Sequence, residues 1–241
     1  MNLVVALSLA LLCFFATGSA AQSPVASSSL RGLAPGSLVL LLPSEAPADY
    51  KAHLPLLDKQ FSTQLGQAGF KVGRLSPEQF SELMALSLSA VGVEAGAAHS
   101  AVHPSVKMRA LATMVKGICE EVGCKLVVQA RLVNRRADLW RGYAAWDGVE
   151  RRQSDMLDSV GPISMEGEAN ALSIELSALT QEGSPSFLTY GGVTVIFEAF
   201  NFAHKATQFR TDWSAEAIGA GMVIGMKAAL SPLVPVTLPV R

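Results

Sequence analysis

The chain has 241 residues, half of them hydrophobic, with 16% charged residues and a net charge of −1. So little charge on so apolar a chain excludes wholesale disorder and leaves no basic field for nucleic acid. Three cysteines, with no second Cys/His pair at ligand spacing, exclude a CxxC redox motif and a zinc site.

Residues 1–21 are expected to be a signal peptide. An apolar core from Leu3 to Phe15 is followed by small residues, and Ser19 and Ala21 meet the small-x-small cleavage rule. The run is shorter than the ~20 residues a membrane span needs, so no integral span is expected once the signal is removed. The flank before it lacks Lys and Arg, which leaves an uncleaved anchor or a misassigned start as the alternatives. Cys13 follows Leu11 and Leu12 rather than small residues, which is not a lipidation pattern. Residues 22–36 are a Ser/Ala/Gly/Pro-rich flexible leader, 37–231 a single domain, and 232–241 a proline-rich extended tail.

The domain opens with an apolar run, residues 37–43, which predicts a central strand buried on both faces. Tyr50, Leu54, Leu57, Phe61, Leu65 and Ala68 make a helical stripe, with Pro55 tolerable only if the regular helix starts near His53. Residues 70–75 form a second short strand. Ser76, Pro77 and Gln79 open the next helix, 76–90, in a near capping box. Residues 92–103, rich in Ala, Gly and His, predict a mobile loop.

The organising stretch is 104–133. Pro104 starts a helix whose apolar face is Met108, Leu111, Ala112, Val115, Ile118, Cys119 and Val122, and Gly123 suits the left-handed position that ends it. Alternation from Leu126 onward then predicts a half-buried strand. With Gly123 left-handed, Cys119 and Cys124 occupy positions that touch, so they are the disulfide candidate; two buried free thiols are the alternative. Residues 134–138 look like a turn, and 139–146 like one strand with Trp140, Ala144 and Trp146 on one face and Arg141 and Tyr143 on the other. Asp147-Gly148 marks a turn or bulge. Residues 170–179 and 186–200 form a hairpin around 181–185, with Gly191-Gly192 as a bend. A helix from about Ser214 to Leu230, capped by Asp212, closes the domain. The fold class is therefore α/β (α+β): a single mixed sheet, a β-α-β-α-β start, antiparallel hairpins, helices packed on the sheet and a C-terminal helix.

No catalytic residue emerges. The chain has no GxSxG elbow or SxxK, its carboxylates are scattered, and no base stands beside a charge stabiliser. His99, His103 and Glu94 lie among glycines and alanines with Pro104 next, which is not a metal motif, so neither metal nor cofactor is expected. Gly219, Gly221 and Gly225 mimic a dinucleotide fingerprint, but inside a helix their N–H groups are committed, so they are expected to permit close packing. The candidate binding surface is Arg135, Arg136, Trp140, Arg141, Tyr143, Trp146, Arg151 and Arg152, since arginine interleaved with aromatics suits a protein or anionic surface. A solvated face with Trp in the core is the plainer alternative. Ala217, Gly221, Gly225 and Ala229 form a small-residue stripe that could bring two copies together.

The order of these elements, with LLLP ending the first strand, QAGFKV closing a helix, VGCKLVVQARLV and a last helix after RTDW, resembles periplasmic proteins related to the TolB amino-terminal domain, the curli-secretion lipoprotein CsgG and penicillin-binding-protein activator lipoproteins. The resemblance spans about 37–230 and implies a small mixed sheet used to bind envelope partners. Without a lipobox, anchoring and ring assembly do not carry over, and no catalytic residue transfers. The expectation is an exported, non-enzymatic periplasmic or secreted domain with an envelope protein partner. The alternatives are an enzyme with a site assembled from distant residues, or an oligomerising structural subunit.

Overall fold

The computed structural model describes residues 33–93, 102–140, 143–152, 167–196, 198–201, 206–209, 215–231 and 233. The signal sequence, most of the leader, Glu94, His99, Asp212 and the tail beyond Leu233 lie outside them, so the expectations placed there are not addressed by the fold.

Strand β1 (Leu38–Leu41) lies between β2 (Lys71–Arg74) and β3 (Leu126–Trp140), parallel to both. Its side chains are buried to both sides, as a continuous apolar run predicts: Val39 and Leu41 enter one core, Leu40 and Leu42 another. Helix α1 (Leu54–Gln67) follows a 3-10 turn, carries Pro55 in its first turn and buries Leu57, Phe61 and Leu65. Helix α2 (Pro77–Ala90) has the full reciprocal capping box between Ser76 and Gln79. Helix α3 (Pro104–Val122) is capped by the His103 side chain, which accepts from the Ser105 N–H. It stops at Gly123 with φ 75°, and Cys119 and Cys124 are joined as a disulfide across that stop.

Beyond β3 come β4 (Tyr143–Trp146), β5 (Val149–Arg152), β6 (Gly167–Thr180) and β7 (Pro185–Ile196), then a separate two-stranded ribbon, β8 (Glu198–Asn201) with β9 (Ala206–Phe209), and helix α4 (Ala215–Ala229). The main sheet has seven strands. One side of β3 pairs with β6 along nearly its whole length, and β7 lies outside β6. The other side takes β1 at its near end and β4 at its far end. Helices α1 and α4 cover one face over Leu126, Val128, Ala130 and Leu132, while α2 and α3 cover the near end of the opposite face over Val127 and Leu179. The mixed-sheet α+β fold is as the sequence predicts.

Four expectations need correction. Residues 134–138 are strand, not turn: β3 runs unbroken to Trp140 because every one of them has a partner on β6. Residues 139–146 are two strands of a hairpin, so Trp140 stands opposite Tyr143 and Trp140 and Trp146 face opposite ways. On α3, Met108 and Val122 are exposed, and Ala110 and Met114 are buried in their place, so the helix is rotated from the predicted stripe. The small-residue stripe is spent inside the chain rather than offered to a second copy. A Cβ on Gly191 would strike the Gly225 carbonyl, and one on Gly221 would strike the Val193 carbonyl. Ala229 is fully buried and its carbonyl accepts a 2.7 Å bond from Thr189 Oγ1. The side chain of Ala217 is outside the described residues.

Candidate functional site

Past Leu132, β3 leaves the two helix-covered cores and is supported by a small cluster of its own: Ala137, Ala144, Trp146, Val149, Ala171 and Val195. This far end collects most of the predicted binding residues, and the strand pleat sorts them onto two faces.

On the outer face, Arg136 and Trp140 point the same way, and Tyr143 stands directly across from Trp140. Trp140 is 57% exposed and Tyr143 39%. Arg136 forms an ion pair with Glu168 on β6. Two large aromatic rings beside a cation, all at one hairpin tip, are the composition that anchors protein interfaces.

The inner face holds the others in place. Arg135 donates from Nε and Nη2 to the two carboxylate oxygens of Asp147, each at 3.2 Å, and its guanidinium lies 4.4 Å from the Tyr190 ring centre. The hydrogen bonds to Asp147 hold the Arg135 guanidinium above its ordinary pKa, and burial raises the Tyr190 phenol above its own. Asp147 sits at φ 40° and Gly148 at φ 76°, the doubly left-handed pair of a two-residue hairpin turn. Asp147 also accepts from Ser173 Oγ at 2.6 Å. Trp146 is buried, its indole N–H directed at the Leu172 carbonyl at 3.4 Å, and a Cβ on Gly192 would come within 2.5 Å of that nitrogen. Arg151 lies on the same inner side, its guanidinium 5.9 Å from the Trp146 ring centre. Burial lowers its pKa, and its Nη2 has no hydrogen-bond partner among the described residues. Trp146 is thus packed inside, while Arg135 and Arg151 lie against side chains of the chain's own inner face. Arg141 lies outside the described residues, as does the side chain of Arg152.

Closer to the helices the inner face becomes a groove of about 530 Å³, walled by Met108 and Leu111 of α3 and Leu188 of β7, with Gln129, Arg131 and Glu175 on its floor. Arg131 bridges Glu45 at 3.1 Å and Glu175 at 3.3 Å. The sequence places Arg131 among the arginines near the candidate surface and Met108 and Leu111 on a helix face, but does not bring them together as a groove. The available signal was the outward alternation of Gln129 and Arg131, whose position beside α3 only the pairing with β6 reveals. Among the described residues no three His, Cys, Asp or Glu side chains gather as metal ligands, and no helix is long and apolar enough to cross a membrane.

No protein-family model and no curated protein matches the chain. Among solved structures it is similar to a PelC dodecamer from Paraburkholderia phytofirmans, with 9% identity, TM-score 0.39, and coverage of 84% of this chain and 90% of that one. It is also similar to lipoprotein GNA1162 from Neisseria meningitidis, with 8% identity, TM-score 0.31, and coverage of 76% and 91% respectively.

Proposed function

We propose that the protein is an exported accessory domain of the bacterial envelope that binds a protein partner through the outer face of the β3–β4 hairpin. The observation that carries this is the pair Trp140 and Tyr143, cross-strand neighbours left exposed at a tip whose inner side is tied down by Asp147 and Trp146. A rigid, solvent-facing aromatic pair loses little conformational entropy on docking. Support for export comes from the signal-like residues 1–21 and from the disulfide, a bond that persists in oxidising compartments. Kinship with the TolB, CsgG and activator-lipoprotein group belongs to the same proposal.

The test is photo-crosslinking in intact cells from a probe at Ala145, which is exposed on the same hairpin. A discrete adduct is expected, reduced at least about tenfold by Trp140→Ser with Tyr143→Ser, since each ring is worth ~1–2 kcal/mol at an interface core. An adduct indifferent to both substitutions would remove the hairpin from the interaction. Recovery of the full-length, unprocessed chain from the cell interior would end the export reading.

A further inference from the structure

The groove on the inner face runs across the strands rather than along them. Helix α3 ends beside β1 and β3, where the Lys125 N–H reaches the Leu38 carbonyl, and at Ala112 it lies against Gly183 in the β6–β7 turn. It therefore crosses the near end of the sheet, and the groove follows its flank past Leu111 and Met108. Two rungs of directly opposed residues lie beneath: Gln129, Ser177 and Leu188, then Arg131, Glu175 and Tyr190. Opposed residues share a face, so both rungs rise on the same side of the sheet.

One part of this hollow is apolar and another acidic. Met108 and Leu188 stand on opposite walls, 48% and 46% exposed. A single exposed leucine is ordinary. Two apolar walls facing one hollow leave a surface that a third side chain can cover, and the unbranched thioether of Met108 adapts to what enters. On the polar side Arg131 is held between Glu45 and Glu175. Two carboxylates against one guanidinium leave negative charge in excess there. An entering anion would face both carboxylates, whereas a cation is complementary to them.

Spacing narrows what can use both parts at once. Leu188 is directly opposite Ser177, so it stands diagonally from Glu175 across β6 and β7, a separation of about 7–8 Å. In an extended chain, residues two apart share a face at about 6.6 Å.

The geometry points to this groove as a docking site for an extended protein segment that carries an aliphatic residue and, two positions away, a lysine or arginine. The aliphatic side chain enters between Met108 and Leu188, and the cation lies against Glu175 and Glu45. Trp140 and Tyr143 are on the opposite face of β3, so the groove and the hairpin tip are independent sites.

Nuclear magnetic resonance on the full, disulfide-intact protein tests this, with two acetylated and amidated peptides as probes, Ser-Leu-Ser-Lys-Ser and its reverse, Ser-Lys-Ser-Leu-Ser. At least one is expected to give saturable shifts at Gln129, Ser177 and Leu188 below about 10 mM, with Trp140 and Tyr143 unmoved. Exchanging its lysine for glutamate, or its leucine for serine, should weaken binding at least about tenfold. In the protein, Glu175→Gln should weaken it at least about fivefold. Glu45→Gln, on an exposed side chain whose loss the fold tolerates, should weaken it at least about threefold, as should Leu188→Ser. The absence of saturable shifts with both peptides would overturn the inference. So would equal binding of the glutamate peptide, or shifts centred on the hairpin tip.

Discussion

At its near end β3 presents Leu126, Val127 and Val128, all buried, between a parallel neighbour and an antiparallel one and under helices on both sides. At its far end the same strand presents Asn134, Arg135, Arg136 and Asp138, all exposed, with β6 still beside it. Backbone pairing is continuous across both halves; what differs is the means of support. The near half is held by apolar packing, which is non-directional and large. The far half has only a small apolar cluster under it and adds a short list of directed contacts, Arg135 to Asp147, Asp147 to Ser173 and Trp146 to Leu172. A strand can therefore extend beyond its helix-covered cores as long as its pairing continues and its charges find partners.

The contrast can be broken most severely at the near half. Gly191→Val places a branched side chain on the Gly225 carbonyl, backbone against backbone with no room to yield. A loss of about 4 kcal/mol or more is expected, seen as a collapse of the thermal transition. Gly117→Ala on α3 is the control. A Cβ there meets nothing, and a gain of about 0.5–1 kcal/mol is expected from helix propensity.

The disulfide comes next. Replacing both Cys119 and Cys124 with Ala should lower stability by about 2 kcal/mol in urea, the value of a short loop on the chain-entropy estimate, with the slope of the transition rising as the unfolded chain expands. At the far half, Asp147→Asn weakens the tie to Arg135 and Ser173. Since the Arg135 side chain is 43% exposed, solvent screening keeps the expected loss to about 1 kcal/mol. The outer-face pair Trp140→Ser, Tyr143→Ser should shift stability by no more than about 0.5 kcal/mol while removing the partner adduct. A large stability loss there would mean that the outer face is packed rather than offered.

The near half was the legible half. A continuous apolar run, a proline-started helix, a capping box and a left-handed glycine are local signals, and β1, α2, α3 and the 119–124 bond follow from them. The far half depended on pairing across many residues. Nothing within 134–138 shows that each position will have a partner on β6, and a charge-rich stretch without such partners is a turn. That one misreading placed Trp140 and Trp146 on a common face, whereas one is exposed and the other buried. The glycines of α4 were read correctly as permitting close approach. Whether the surface approached belonged to the same chain or to another could be decided only by the position of β7.

The way β3 is bordered has a consequence for how the chain folds. Its partner β6 comes after β4, β5 and residues 153–166, and β7 follows β6 by a short turn, whereas β1 reaches β3 only after the longer α1–β2–α2–α3 segment has been closed into a loop. Loop-closure entropy delays contacts of the second kind. The β3–β6–β7 part of the sheet is thus expected to assemble first, with the amino-terminal strands docking onto a surface already present. Mutational rate analysis would show this as an early signature at Ile174 and Val193 and a late one at Val39, and the reverse order would mean that the amino-terminal half templates the rest.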